Sequence, residues 1–476
     1  RTGPGEPPSI YTIPSLGGDP KLIVSDVSGR VALSPDGRRI AYLKRMQPGT
    51  PRELFVSNLD GTSLRSLRTE DDEELIRDFA WSPDSKYLAA TITDFSKELK
   101  TGLFRIQVSN GRTKRISDQS WAIATQLAYL PPENHIVLLG SEQFSLLNNH
   151  VWHVDVESGN ARRLTNDANR YLTLSVAPKV DRILLVQASA NSGLSVASAS
   201  KPDQLALITP RSASADGILG IAWTPDNRLI YQSRASGSDE LWSTAPDGNG
   251  QPKQLTNGTR LTYNPSVSPD GSTLYQLSLR GGRIVLWKTN LEGKNPQQVT
   301  SDAMEDLTPS VSKDGQSLLL GGILAAKHQG LWKQRLAEGD RVKLSDQPCF
   351  DPQYSADESK ILCAENVDGS PRIATILPAS GGAPLQKLTL MDTARQFRWS
   401  PSGHAVTFVA EREGVTQLFE QPLSGGQPKQ LTHFPELLTY RYAWSPNGQQ
   451  IAYARGEIMQ DIVVFTNKYK SRDPEE

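Results

Sequence analysis

Aspartate recurs in this chain in one setting, directly after a proline or lysine inside a turn: Asp36, Asp84, Asp226, Asp270 and Asp314. Repeated turn carboxylates raise the question of calcium, which takes six or more oxygens converging on one point. Motif copies about 45 residues apart cannot supply that, and an aspartate at this place in a turn bonds its own backbone. The expectation is a turn-forming acid and no metal. Of the six histidines only His150 and His153 are close, and strand alternation sends them to opposite faces. The two cysteines, Cys349 and Cys363, flank a turn at Ser355–Ser359. Antiparallel pairing brings such residues to facing or diagonal positions. A disulfide and a pair of buried thiols both stay open.

Motifs for covalent or phosphate chemistry are missing. The sequence has no G-x-S-x-G, no H-E-x-x-H, no G-x-x-x-x-G-K-[ST] and no kinase signature. The chain is therefore expected to be non-catalytic and to need no cofactor. What remains is a set of aromatic and arginine residues, the types that anchor partners. They fall in the connections between repeated segments: Trp121, Arg170, Tyr171, Tyr263, Asp306, Arg395, Tyr440 and Arg441, with Glu305, Phe350, Asp351 and Phe434 nearby. These are the candidate binding residues for a protein or small-molecule ligand. The acid run Asp71–Glu74 is expected to be solvated.

The element that must position them is a hairpin. Pro265–Ser278 reads PSVSPDGSTLYQLS: a strand, a turn fixed by proline and glycine, and a second strand. Counting turn positions Pro35, Pro83, Pro131, Pro178, Pro225, Pro269, Lys313, Ala356, Pro401 and Pro446, ten copies follow one another at 43 to 48 residues. Between them lie a third strand before a glycine turn and a fourth ending in Leu-Thr, as in QPKQLT at Gln251–Thr256 and Gln427–Thr432. Four short strands per ~45 residues with Gly and Pro turns make the blade of a β-propeller. The fourth strand carries Lys or Arg in most copies (Lys114, Arg162, Lys253, Lys343, Lys387, Lys429), which suits an exposed edge that must not pair with other chains.

The fold expected is thus all-β, with residues 1–8 as linker, 9–469 as propeller and 470–476 as tail. The tenth copy lacks its fourth strand, and Pro20–Val24 reads as that strand. Zipping it onto the last blade closes one ring of ten; two smaller rings are the alternative. Lys plus Arg (51) and Asp plus Glu (52) nearly cancel, so no general field draws nucleic acid. No apolar run approaches the ~18 residues of a membrane span. The chain begins at Arg1 rather than Met, so any signal or membrane anchor is expected upstream.

At the SPDG hairpins and QPKQLT strands the chain resembles the WD40-like, TolB-type (PD40) propeller repeats. It lacks the Gly-His and Trp-Asp pairs of true WD40 repeats. IYTIPSLGG (Ile10–Gly18), ARRLTNDANRYLTLSV (Ala161–Val176) and DIVVF (Asp461–Phe465) look like the propeller regions of bacterial membrane serine/threonine kinases and ToxR-like winged-helix regulators. That resemblance implies an extracytoplasmic sensor domain. A TolB-like periplasmic interaction scaffold and the accessory propeller of a peptidase are the other readings it allows.

Overall fold

The computed structural model describes residues 8–466 apart from 46–50, 72, 95, 97–99, 131–133, 143–148, 168, 178–181, 260, 281–282, 301–308, 323–329, 348 and 366–371. The turns at Pro131 and Pro178, residue Asp306, nearly all of the linker and the tail lie outside the described residues.

Each repeat is built by three local devices that the sequence motifs encode. In the first turn, Ser34 Oγ donates to Asp36 Oδ1 (2.5 Å) and accepts from Arg39 N–H (2.9 Å), while Asp36 Oδ1 also accepts from Arg38 N–H (3.1 Å). The same serine–aspartate bond recurs at Ser82–Asp84, Ser268–Asp270, Ser312–Asp314 and Ser355–Asp357. The aspartates are therefore turn locks. The Leu-Thr motif ties the fourth strand to the third: Gln254 Nε2 donates to the Thr256 carbonyl (2.8 Å), and Thr256 Oγ1 accepts from Leu241 N–H (2.9 Å). Gln298–Thr300 and Gln430–Thr432 repeat it on Leu286 and Leu418. Finally, the tryptophan two residues before the turn proline reaches into the neighbouring repeat. Trp81 Nε1 donates to the Ala32 carbonyl (3.0 Å), and Trp223 Nε1 to the Ala443 carbonyl (2.9 Å).

These turn carboxylates give the fold an acid sensitivity. Hydrogen bonds from Ser268 and from Ser272 lower the Asp270 pKa to about 2, and Asp36, Asp84, Asp226, Asp314 and Asp357 are lowered too. A carboxyl with a depressed folded-state pKa stabilises above its unfolded value, and that contribution disappears as pH falls through the folded value. The urea midpoint is expected to hold from pH 7 to about 4 and then to fall steeply toward pH 2. Asp270→Asn should flatten part of that decline, and a midpoint that is level down to pH 2 would refute the coupling.

Eight repeats form complete antiparallel four-stranded sheets in chain order, beginning with Val27–Leu33, Arg39–Arg45, Arg52–Asn58 and Arg65–Thr69. The lysines and arginines expected on the fourth strands are exposed there. Cys349 and Cys363 are joined as a disulfide, with Cα atoms 5.0 Å apart. The register pairs Phe350 with Ala364, so the two cysteines are diagonal neighbours. Among the described residues no helix is long and apolar enough to cross a membrane.

The expected single ring gives way to two compact units, residues 1–189 with 459–476, and residues 190–458. The repeats divide four and six between them. Two strands of 17 residues, Arg182–Ser198 and Gln450–Thr466, contain both passages of the chain between units. Each is long enough to serve two sheets, which is why no linker separates the repeats. The expected closing strand is corrected as well. Lys21–Val24 does not join the last repeat; it pairs with Ile10–Thr12 in a two-stranded sheet. Ile10 and Ile23 pack there against a cluster containing Ile40, Tyr42 and Phe55 of the first repeat.

In the second unit the tenth repeat is instead completed by the start of that same unit. Leu438–Trp444 and the first part of Gln450–Thr466 are followed in the sheet by the end of Arg182–Ser198 and by Lys201–Leu207. This sheet packs on the fifth repeat through Val196, Ala452, Trp223 and Leu229. The second unit therefore closes on itself.

Candidate functional site

The inner, first strand of most repeats is interrupted by a β-bulge close to the residue five positions before the turn. That residue is Asp78, Gln126, Asn264, Asp351 or Gln396 in the clearest cases. Gln126, Asn264, Asp351 and Gln396 take φ of 42° to 55° there. A bulge leaves a ladder N–H and C=O without a strand partner, and the neighbouring repeat supplies one. Gln126 donates to the Leu172 carbonyl (2.8 Å) and accepts from Leu174 N–H (2.9 Å). Gln396 clasps the next repeat in the same way, donating to the Tyr440 carbonyl and accepting from Tyr442 N–H (3.2 Å). Asp78 accepts from Leu127 N–H (2.8 Å) and pairs with Arg30. A polar side chain in an apolar strand thus holds the second, third and ninth repeats each to the next.

In the second unit these bulged ends surround a cavity of about 310 Å3. Five repeats contribute to it: Gly220 and Ile221, Asn264 and Pro265, Phe350 and Asp351, Arg395 to Arg398, and Arg441 with Tyr442. Glu365 and Arg372 complete its charged lining. Arg398 is ion-paired with Asp351. Glu365, 7% exposed, takes a hydrogen bond from Thr375 and an ion pair from Lys387 (2.9 Å). Arg395 donates to Thr416 Oγ1 (3.1 Å) and the Thr439 carbonyl (3.4 Å), both neutral. Burial pushes its pKa down, with the charge of Glu411 opposing.

The residues expected from sequence fall in different places. Arg395 and Arg441 line the cavity. Tyr263 is buried, and Tyr440 packs beside a small cluster with Leu194, Tyr231 and Ala454. Trp121, Arg170 and Tyr171 belong to the first unit. Trp121 is a core residue packed edge-on to Trp152 at 5.7 Å, and Tyr171 is buried with its hydroxyl donating to Asp167 (2.7 Å). Arg170 is exposed, and Asp306 lies outside the described residues. Of the seven described, the cavity brings together Arg395 and Arg441. Gln396, Arg398, Arg372 and Glu365 were missed; the signal that finds the first is a polar residue five before the turn, inside an apolar strand.

Sheets of four antiparallel strands repeated along the chain, locked by turn and inter-repeat bonds around inner-strand bulges, define a β-propeller. The family described as PD40, TolB beta propeller domain, matches residues 23–249 and 293–473, and the chain belongs to it. A stretch of 69 residues is 35% identical to an uncharacterized peptidase, YuxL, of Bacillus subtilis (strain 168), covering 13% of this chain and 10% of that protein. The chain thus spans about a tenth of that relative's length. Among solved structures, a putative TolB from Agrobacterium tumefaciens is 18% identical over 56% of this chain and 99% of its own, with a TM-score of 0.45. TolB from Acinetobacter baumannii is 17% identical over 75% and 66%, with a TM-score of 0.22.

Proposed function

We propose that this chain is a non-catalytic binding propeller, the extracytoplasmic sensor part of a bacterial signalling protein. The observation that supports it is the cavity of the second unit, where five repeats converge and several arginines line the hollow. A composite hollow of this kind suits recognition. The extracytoplasmic placement and the sensor role rest on the resemblance to propeller regions of membrane kinases and ToxR-like regulators. Membership of the TolB propeller family supports a second reading, a periplasmic interaction scaffold, which would use the same cavity for a protein partner. The short match to a peptidase supports an accessory role beside a hydrolase domain.

A photoreactive residue in place of Arg441 tests the binding reading in cells. A defined cross-linked species at Arg441, absent when the probe replaces exposed Lys114 in the first unit, is the expected outcome. Equal labelling at both positions overturns the site. Cleavage of a peptide library by the purified chain overturns the non-catalytic assignment.

A further inference from the structure

We infer that the cavity of the second unit takes an acidic ligand, a small molecule or chain end bearing carboxylate or phosphate groups. The inference rests on reading that cavity as the binding site. Four arginines and two acids line it, namely Arg372, Arg395, Arg398 and Arg441 against Asp351 and Glu365. Among the described residues the lining is therefore net positive, in a protein whose overall charge is −1. Both acids carry an ion pair, Asp351 with Arg398 through Oδ2, its Oδ1 having no hydrogen-bond partner among the described residues, and Glu365 with Lys387, which is not itself among the lining residues. Among the described lining residues neither acid is paired with Arg372 or Arg395.

Two of those groups are placed to receive a ligand. Arg395 is held by a hydroxyl and a backbone carbonyl, so its position is fixed without its charge being neutralised. Glu411, the acid whose field reaches it, is exposed and does not line the cavity. Arg372 has no side-chain hydrogen bond or ion pair among the described residues and lines the same hollow. A planar guanidinium presents paired donors that match carboxylate and phosphate oxygens two at a time. Phe350, which is only partly buried, adds an apolar wall, and apolar surroundings strengthen such pairs. At about 310 Å3 the space suits a ligand of metabolite size or the end of a longer chain.

The test is calorimetric titration of the whole chain with citrate and, separately, inorganic phosphate at low ionic strength. One saturable site is expected, weakened by added salt as charge pairing requires. Arg372→Gln and Arg395→Gln should each weaken it about tenfold or more, while Lys114→Gln leaves it unchanged. Arg395→Gln gives up two structural bonds, so Arg372→Gln is the variant that isolates ligand recognition. Preference for citrate assigns a carboxylate ligand; preference for phosphate assigns a phosphorylated one. The inference fails if neither anion binds at millimolar concentration. It fails equally if binding survives both arginine variants, which would mark an adventitious ion only, or if the cation spermidine binds there instead. Cross-linking at Arg441 without anion binding would leave the binding propeller standing and remove the acidic ligand alone.

Discussion

Gly456→Ala is expected to lower the unfolding free energy by at least about 4 kcal/mol, the range reserved for severe backbone or core conflicts. Gly456 lies in Gln450–Thr466 beside Arg182–Ser198. A methyl group there would sit 1.8 Å from the Asn191 carbonyl oxygen and 2.7 Å from its carbon. No side-chain rotation relieves a clash with backbone, so the strands must part. Parting them breaks the bonds of Asn191 to Glu457, one from its amide to Oε1 (3.0 Å) and one to its side chain from the Glu457 N–H (3.3 Å). Gly403→Ala is the control. Its φ of +72° strains alanine, yet nothing lies within 4 Å of the added carbon, so the cost should be about 1–2 kcal/mol. Urea unfolding of the two variants, side by side, makes the comparison. Equal small losses would mean that the two long strands do not meet at Gly456.

That position also marks where the sequence stopped being legible. The described hairpins were readable because each is a local structure: in the copy at Ser268, proline, aspartate and glycine fix the turn, and serine closes it, within seven residues. The QLT strands were readable for the same reason. The passage Ala188–Gly193 (ASANSG) was not, because alanine, asparagine, serine and glycine are turn formers by composition, yet here they continue a strand. What keeps them extended is tertiary: Ser192 is fully buried with its hydroxyl on the Asp216 carbonyl, and Gly193 lies against the Thr209 carbonyl with no room for a Cβ. Non-local pairing of that kind leaves no periodic trace. Nor does a ring closed by residues 190–207 look different in sequence from one closed by residues 20–24.

The candidate site was half legible for a related reason. Of the arginine and aromatic residues near the starts of inner strands, Arg395 and Arg441 line the cavity, whereas Trp121 and Tyr171 fill space between sheets. Residue type alone does not distinguish an aromatic turned into the core from one turned to a channel. A bulge does not either, since Tyr171 and Arg395 both flank one and only Arg395 of the two lines the cavity. Its mark in the sequence is a polar residue at one fixed distance from the turn, which only becomes meaningful once the orphaned backbone groups it serves are seen.

The same comparison across repeats yields a pair of substitutions with opposite signs. Seven residues after each turn position the second strand carries Tyr42, Ala90, Leu138, Leu185, Gln232, Gln276, Leu320, Cys363, Phe408 and Tyr453. Eight are apolar or, for Cys363, disulfide-bonded; two are glutamines, both 0% exposed. Gln232 is employed. Its carbonyl accepts from Leu219 N–H (3.2 Å), and its amide donates to Asp239 Oδ1 (2.8 Å). Asp239 is itself buried, and burial pushes its pKa up to about 6 against the pull of Arg234 and Gln232. Gln276 has no hydrogen-bond partner at either end of its amide among the described residues. A buried amide without partners carries its full desolvation cost, whereas removing one partner of a made bond leaves the other stranded. Gln276→Leu, which copies Leu320 of the next repeat, should therefore stabilise by about 1–2 kcal/mol. Gln232→Leu should destabilise by about 2–3 kcal/mol, because it strands a backbone N–H and a buried carboxyl at once. Urea midpoints measured near pH 7, where Asp239 is ionised in most molecules, read both effects. A loss of stability in Gln276→Leu would show that its amide is paired in solution, and no loss in Gln232→Leu would show that the Asp239 network does not hold the fifth repeat together.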